Sequence, residues 1–527
     1  MYNNYEKVFT EVLKRIVFMK EQETGKKDER QHRCPGEPYT ISDSVCRGRQ
    51  RVRYPKCNVC LDKMEPASFS QPHAEFKLSM NIFKSYDIRG KYPSEIDDQT
   101  SRKIGVSMAQ FFKEKNPNAR NIVVGRDMRT SSKSLTNALI EGLCTAGLNV
   151  INIGVVSTEM TYFAVGNYQY DGSVMVTASH NPAEYNGYKI CREQAIPVSF
   201  ETGIERIAKL TKQYHPPRGE QLGKVVMSDI FKDYKKHVLK FASNLRHLRV
   251  VVDAGNGMAG KTVPLVFEGL PVEIIPLYFE LDGSFPNHEA NPLKPENMAD
   301  LQKKVRETRA HLGVAFDGDA DRCMFVDEMG RIIGSDIITA LLARQFLERE
   351  KGAAILYDVR SSWVVPEEIK ASGGVPYRER VGHAYMRASL REKKAVFGGE
   401  LAGHYYFRDN YYSDSAMAAF LMVLEILSTR RVPFSNIIAP LRRYYATGEI
   451  NFEVDDKDAK IIEIEKKFSN GKINHLDGVT VEYPDWWFNI RKSNTESLLR
   501  LNLEGKTPEI MEKGKRLLLA IIQGKSP

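Results

Sequence analysis

Short apolar runs that end in polar, often glycine-bearing loops recur along most of the chain. They fall at Asn121 to Asp127, Val174 to Thr177, Val250 to Asp253, Val314 to Phe316, Ile355 to Asp358 and Ala395 to Gly399. Apolar runs this short, bounded by turn signals, predict buried strands. Between them, Leu135 to Ala146, Ile337 to Arg349 and Met417 to Leu427 repeat their apolar residues at helical spacing. Alternating strands and helices predict mixed sheets covered by helices. From about Tyr445 the rhythm changes, with helical patterns at Asp458 to Phe468 and Pro508 to Ile522 around strands at Gly478 to Glu482 and Leu498 to Leu503. That section reads as a smaller α+β domain.

The longest apolar run, Ala416 to Leu427, contains Glu425. It is shorter than the roughly 18 residues of a membrane span and reads as a buried helix. Near the N-terminus, Lys14, Arg15 and Lys20 interrupt the stretch around Ile16 to Met19, so the uninterrupted apolar core of a signal peptide is missing and a cytoplasmic location is expected. With 527 residues and 42% hydrophobic content the chain can bury several cores. Its net charge of +9 suits a binder of anionic small molecules and does not by itself argue for nucleic acid.

Two loops carry the chemistry. Thr177-Ala178-Ser179-His180-Asn181-Pro182 follows the predicted strand Val174-Met175-Val176 and places a hydroxyl at a strand's carboxyl end, where open α/β sheets hold ligands. Asp317-Gly318-Asp319-Ala320-Asp321-Arg322 follows Val314-Ala315-Phe316 and alternates its carboxylates with small residues, so one tight loop can aim all three inward. Oxygen ligands of this charge suit a hard cation such as Mg²⁺. The calcium-loop reading fails, because Arg322 occupies the sixth position, where that loop needs glycine, and Met324-Phe325-Val326 reads as a strand. A phosphorylated Ser179 would add a further oxygen ligand, with Arg322 against the same phosphate.

On these residues the chain resembles the α-D-phosphohexomutase superfamily, and further segments agree in order and spacing. They are Tyr86-Asp87-Ile88-Arg89-Gly90, Val381-Gly382-His383, Gly399-Glu400-Leu401-Ala402-Gly403-His404 and Arg491-Lys492-Ser493-Asn494-Thr495. The resemblance covers residues 80 to 527. It implies three topologically similar mixed-sheet α/β domains plus a smaller α+β C-terminal domain around a central cleft. The expected limits are 80–236 for the phosphoserine domain, 237–334 for the metal domain, 335–444 for the sugar-recognition domain and 445–527 for the phosphate-binding domain.

The resemblance implies catalytic roles for Ser179, His180, Lys189, Arg89, Arg322 and His383, with His180, Lys189, His383 and His404 as candidates for proton transfer. Tyr86, Arg360, Glu400, Ala402, His404, Arg491, Ser493, Asn494 and Thr495 are the expected substrate-binding residues, and Asp317, Asp319, Asp321 and phosphorylated Ser179 the expected metal ligands. Glu400 can accept two adjacent sugar hydroxyls, and Arg491 to Thr495 offer a guanidinium, hydroxyls, an amide and backbone N–H groups to a phosphate. Arg360 stands where the family often has lysine. Ala402 stands where many members have serine, a loss of one hydrogen bond worth roughly 0.5–1.5 kcal/mol.

The implied activity interconverts hexose 1-phosphate and hexose 6-phosphate, of mannose and/or glucose, through phosphoserine and a sugar 1,6-bisphosphate that also serves as activator. The Arg491 to Glu496 loop is more similar to the phosphomannomutase/phosphoglucomutase group than to phosphoglucosamine mutases. Two alternatives stay open: a phosphoglucosamine mutase, and a regulatory sugar-phosphate sensor.

Residues 1–79 lie outside the resemblance. Cys34, Cys46, Cys57 and Cys60 offer the thiolates of a tetrahedral zinc site, with Cys57-Asn58-Val59-Cys60 as its knuckle; unmetallated chain is the alternative. Arg47, Arg49, Arg51, Arg53 and Lys56 form a basic run able to meet nucleic acid or an acidic partner, or simply to stay solvated. Residues 4–20 carry apolar positions at helical spacing.

Overall fold

The computed structural model describes residues 79–217, 221–493 and 498–524, together with the backbone of 31–33 and 40–42. The chain divides into two units, Met1–Lys77 and Leu78–Pro527. In the first, β1 (Gln31–Arg33) pairs antiparallel with β2 (Thr40–Ser42). Cys34, Cys46, Cys57, Cys60, the basic run and the helical pattern of residues 4–20 all lie outside the described residues.

Among the described residues the second unit is built on four sheets. Its first contains β3 (Ile88–Lys91), β4 (Asn121–Arg126), β5 (Asn149–Val155), β6 (Gly172–Val176), β7 (Tyr185–Arg192) and β8 (Val225–Met227), in the order β3-β7-β6-β4-β5-β8. The second contains β9 (Leu248–Asp253), β10 (Val272–Leu277), β11 (Leu312–Phe316), β12 (Cys323–Asp327) and β13 (Ile332–Ile333), ordered β10-β9-β11-β12-β13. The third repeats that plan as β15-β14-β16-β17-β18, with β14 (Ala354–Asp358), β15 (Val375–Glu379), β16 (Phe397–Gly399), β17 (Tyr405–Phe407) and β18 (Ser413–Asp414).

In each of these sheets three parallel strands are followed by an antiparallel return strand: β7 on β6, β12 on β11 and β17 on β16. The edge beyond the return strand differs. The second and third sheets fill it with the next strand in sequence, whereas the first fills it with β3 from upstream, Arg89 lying opposite Gly187. The repeated order sends equivalent loops, those joining the third parallel strand to its return, toward one cleft. These are the Ser179 loop (β6 to β7), the Asp317 loop (β11 to β12) and the Glu400 loop (β16 to β17).

The fourth sheet is antiparallel, ordered β19-β23-β22-β21-β20, with β19 (Tyr445–Phe452), β20 (Lys472–Asn474), β21 (Val479–Glu482), β22 (Trp486–Lys492) and β23 (Leu499–Gly505). Helices Lys457–Lys467 and Pro508–Ile522 cover it, close to the sequence expectation. Asp456 and Thr507 cap them, their side chains accepting from Ala459 N and Ile510 N.

Apolar packing separates the fourth sheet from the rest. One continuous cluster runs from Val123 through Val252, Phe316 and Phe397 to Leu441 and so joins the first three sheets. Ile464, Phe488, Leu501 and Leu518 belong to a cluster confined to the fourth sheet and its helices. The predicted buried helix is Ala416–Arg430, with every residue from Ala416 to Ser428 buried. Glu425 is tolerated there because it accepts from Ser243 N and Oγ, Gln345 Nε2 and Arg349 Nη2. Among the described residues no helix is long and apolar enough to cross a membrane.

Candidate active site

The all-buried strand β6 delivers Ser179 into the cleft with no exposed surface and a left-handed backbone, φ 52°. Thr177 Oγ1 accepts from Ser179 N at 2.9 Å, and Asn181 N closes the turn onto Ala178 O at 3.0 Å. The Ser179 hydroxyl donates to Asp317 Oδ2 at 2.8 Å and lies 3.4 Å from His180 Nδ1. The two segments that the sequence reading paired are therefore in direct contact.

Asp317, Asp319 and Asp321 are all buried, and one oxygen from each lies within 4.8 Å of the others. Neighbouring elements hold their loop. Thr158 donates through N to Asp319 O at 3.0 Å and through Oγ1 to Asp319 Oδ2 at 2.5 Å, and Met258 N donates to Gly318 O at 2.9 Å. Gly257 must lack a side chain there, because a Cβ would stand 2.7 Å from Gly318 O.

Three buried carboxylates repel one another. Burial first, then Asp319 and Asp321, push the Asp317 carboxyl up to about 7. Lys189 Nζ supplies one counter-charge, 2.8 Å from Asp319 Oδ2 and bonded to Asp321 Oδ2. Burial lowers the affinity of Lys189 for its proton, but the three aspartates overcome this and raise it above the usual lysine range. Asp319 Oδ1 stays buried with no hydrogen-bond partner. An unused oxygen among three carboxylates fits a hard divalent cation such as Mg²⁺, with Asp317, Asp319 and Asp321 as its holders.

Basic groups ring this centre. Arg89 donates from Nη1 to Asn181 Oδ1 at 2.7 Å and also pairs with Asp87. Arg322 Nε lies 3.7 Å from Asp317 Oδ2, 4.0 Å from Asp321 Oδ1 and 3.1 Å from His404 Nε2. His404 Nε2 also lies 3.4 Å from Asp321 Oδ1, and Nδ1 lies 3.0 Å from Glu400 Oε2. Burial and Arg322 oppose a proton on His404, yet Asp321 and Glu400 prevail and raise it to about 9. His404 Nδ1 faces Glu400, and the Arg322 guanidinium donates from Nε to His404 Nε2. His180 and His383 move the other way. Burial, with Arg322 and Arg89 for the first and Lys189 and Arg387 for the second, holds both well below the usual histidine range. Both ring nitrogens of His383 are buried without protein partners, and Tyr86 packs edge-on against its ring at 4.9 Å.

Glu400 differs from its sequence expectation. Its carboxylate already accepts from Gly382 N at 2.8 Å on Oε1 and from His404 Nδ1 and the Tyr406 hydroxyl on Oε2. With most of its lone-pair sites engaged it has little room for a bidentate pair of sugar hydroxyls. Ala402 lies in the same turn, half-buried.

The phosphate-grip candidates meet at the seam between the third and fourth sheets. Arg360 is clamped by Asp358 Oδ2, from Nη2 at 2.6 Å and Nε at 3.1 Å. Arg491, at the end of β22, donates from Nη2 to Glu449 Oε2 at 2.9 Å. Arg360 Nη1 lies 3.5 Å from that oxygen, and Arg500 Nη1 lies 3.1 Å from Glu449 Oε1. Ser493 N donates to Leu498 O at 2.9 Å; Asn494 and Thr495 lie outside the described residues.

With this geometry in place, the known proteins that the chain resembles can be compared. The sequence matches the phosphoglucomutase/phosphomannomutase α/β/α domain I over residues 80–216, domain II over 232–330, domain III over 334–444 and the C-terminal domain over 449–519. The chain belongs to the phosphoglucomutase/phosphomannomutase family. As a member it is a mutase, an intramolecular phosphotransferase. It is 40% identical over 440 residues to a phosphomannomutase of Vibrio cholerae, covering 81% of this chain and 95% of that one. A protein of Xanthomonas campestris described as phosphohexose mutases is 38% identical over 432 residues, with 81% and 95% covered. The crystal structure of a phosphoglucomutase/phosphomannomutase family protein from Burkholderia thailandensis superposes with a TM-score of 0.78 at 32% identity, covering 85% of this chain and 99% of that one.

Sequence reasoning missed several residues that hold this mutase's site together. Thr158 supports the acidic loop from the helix Thr158–Tyr168, and Glu449 joins three arginines. Arg129, three residues beyond β4, anchors the Ser179 loop. A signal for the last was present: Gly125-Arg126-Asp127-Met128-Arg129 places charges at the carboxyl end of a predicted strand. Thr158 and Glu449 stand in stretches with no local pattern to distinguish them.

Proposed function

We propose that phosphorylated Ser179 transfers its phosphoryl group to the free hydroxyl of a bound hexose monophosphate, mannose and/or glucose, between O1 and O6. The resulting 1,6-bisphosphate turns over in the cleft and returns its other phosphate to Ser179. The observation that carries this reading is the 2.8 Å contact between Ser179 Oγ and Asp317 Oδ2 inside the buried aspartate cluster. Mg²⁺ held by Asp317, Asp319, Asp321 and the phosphate on Ser179 would offset the charge that develops on the group being transferred. Arg322 and Arg89 border the same space and stabilise phosphate oxygens. Lys189 is committed to Asp319 and Asp321, so its part is electrostatic.

His180 and His383, both neutral, are the proton carriers this geometry favours, His180 by its distance to Ser179 and His383 by its two unused nitrogens. Tyr86, Glu400 and His404 border the sugar, Glu400 chiefly by fixing His404 and the turn at Gly382. Arg360, Arg491, Ser493, Asn494 and Thr495 grip the phosphate that is not being transferred. A sugar 1,6-bisphosphate is the activator, because its loss from the cleft leaves Ser179 unphosphorylated.

The domain limits in this reading are 80–236, 237–334, 335–444 and 445–527, and the strands of each of the second unit's four sheets fall within a single one of them. Cytoplasmic location is part of the proposal, supported by free thiols at Cys144, Cys191 and Cys323. A sensor would not need a nucleophile and a full acidic cluster in contact, which argues against that alternative.

The deciding experiment is a coupled mutase assay with mannose 1-phosphate, glucose 1-phosphate and glucosamine 6-phosphate, Mg²⁺ and catalytic glucose 1,6-bisphosphate. Wild type is expected to turn over the first two, and Ser179→Ala to lose at least about 10⁴-fold in kcat. Turnover of glucosamine phosphate alone would move the assignment to phosphoglucosamine, and turnover surviving in Ser179→Ala would end the phosphoserine mechanism.

A further inference from the structure

Against the Ser179 loop lies a guanidinium of a residue with 1% exposure. Arg129 Nη2 donates to Ser179 O at 2.8 Å and Asn181 O at 2.6 Å, and Nη1 donates to Pro182 O at 2.7 Å and Tyr185 O at 3.1 Å. One side chain thus ties four carbonyls of the nucleophile loop to a single plane. Its remaining N–H, at Nε, faces Asp127 Oδ2 at 3.2 Å. Asp127 is fixed in turn: its Oδ1 accepts from Arg129 N at 3.0 Å and from Ser132 Oγ at 2.5 Å.

The guanidinium is also covered by an aromatic ring. The Phe285 ring lies over it, 5.1 Å from ring centre to Cζ. A Cβ on Gly283 would stand 2.5 Å from Arg129 Cα, so this segment approaches the Arg129 backbone too closely for a side chain. The same segment bonds to the turn beneath the acidic loop, Asp282 N donating to Asn256 O at 3.1 Å and Asn287 Nδ2 to Asn256 Oδ1 at 2.8 Å. From that turn, Gly257 presses on Gly318. Arg129 therefore sits where the support of the nucleophile loop and the support of the acidic loop meet.

We propose that Arg129 is a positioning residue for phosphoryl transfer: without touching substrate, it fixes the left-handed Ser179 backbone and keeps it in register with the aspartates through Gly283 and Phe285. This rests on the mutase reading given above. The geometry demands arginine, since four carbonyls spread along a loop need a planar fork of donors, which the single ammonium of lysine cannot supply.

The test compares wild type, Arg129→Lys and Phe285→Leu by thermal melting, steady-state kinetics, intact-mass measurement of Ser179 phosphorylation after incubation with glucose 1,6-bisphosphate, and amide hydrogen exchange over residues 178–185. In Arg129→Lys, exchange over 178–185 is expected to quicken and kcat per folded molecule to fall by roughly 10²-fold, the scale of a misplaced reacting group, with KM within about threefold. Phe285→Leu should shift both in the same direction by less. Unchanged exchange and kcat per folded molecule, with only the folded fraction reduced, would overturn the proposal. If Arg129→Lys does not fold, unchanged exchange and kinetics in Phe285→Leu overturn it. If wild type shows no turnover, the mutase reading fails by itself, while exchange and Ser179 phosphorylation still decide whether Arg129 positions the loop.

Discussion

The seam between the first and second sheets and the seam between the third and fourth are held together in opposite ways. At the former, apolar packing is continuous, and the reacting groups are fixed by short bonds among fully buried residues: Ser179 to Asp317, Thr158 to Asp319, Arg129 to the Ser179 loop. At the latter, the fourth sheet has its own apolar cluster, and contacts across the seam include charged and polar pairs. Arg360 and Arg491 share Glu449, Arg378 Nη1 meets Glu482 Oε1 at 2.6 Å, Val381 N donates to Asp477 Oδ2 at 3.0 Å, and Trp363 N donates to Glu504 Oε1 at 3.0 Å. Polar pairs can trade partners with water or ligand at little net cost, whereas a shared apolar core cannot separate without exposing its area. On the roles proposed above, the molecule keeps its bond-making groups in the first kind of seam and its phosphate grip in the second.

Substitutions on the two sides should therefore fail differently. The largest effect belongs to the rigid seam: Asp319→Asn, or chelation of Mg²⁺ from the wild type, is expected to cut kcat by roughly 10³-fold or more while substrate still binds. Steady-state kinetics with a titration of substrate protection in thermal melts would separate the two effects. At the polar seam, Arg491→Lys loses the planar fork but keeps the charge. KM should rise about tenfold, the equivalent of roughly 1.4 kcal/mol, with kcat nearly unchanged. A fall in kcat to match Asp319→Asn would erase the division of labour.

The smallest effect concerns pH, and two buried carboxyls supply it, Glu504 at the polar seam and Glu159 in the helix Thr158–Tyr168. Burial raises the Glu504 carboxyl to about 7, against bonds from Ser362, Trp487 and Trp363, and raises that of Glu159 to about 8, against bonds from Ser415 and Tyr234. In the unfolded chain both would titrate near the ordinary value of 4.5. Between that value and 7 or 8 the folded state retains protons that the unfolded state has released. Stability from these groups is therefore complete below 4.5 and is lost as pH rises through about 7 for Glu504 and about 8 for Glu159. Glu504→Gln, whose amide oxygen can still accept from Trp363 N and Trp487 Nε1, should flatten the lower part of that decline in melts from pH 5 to 8.5 and leave the upper part to Glu159. An unaltered profile would show that Glu504 does not titrate there.

Strands whose apolar runs are interrupted least were legible from sequence. Val250 to Asp253 and Val314 to Phe316 lie inside β9 and β11, and the loops after β6 and β11 hold Ser179 and the aspartates as expected. The return strand β7 escaped notice because Tyr185-Asn186-Gly187-Tyr188-Lys189 interrupts apolar positions with polar ones, Asn186 bonding Ser131 and Ser132 and Lys189 reaching the aspartates. β22 was hidden for a related reason: its Asn489 and Arg491 are buried, so no alternation survives. What the sequence could not show is partnership across distance. Glu400 looked like a free carboxylate until the fold brought Gly382 N, His404 and Tyr406 to it, and Arg129 gained meaning only when β7 and the 282–287 segment closed around it. The residues could be noticed locally, but their partnerships carry no local signature, because the neighbours come from elsewhere in the chain.

With Arg491 holding phosphate as proposed, Glu449 makes that grip an ion exchanger. An anion reaching Arg491 finds its counter-ion already resident, tethered to β19 and shared with Arg360 and Arg500. Loading therefore requires swapping one anion for another. A dianionic phosphate brings more charge to the exchange than the carboxylate it displaces, while an unphosphorylated hexose brings none. The same stationary carboxylate would rebind as ligand departs, giving a sugar bisphosphate that releases one end a competitor at that end before it releases the other.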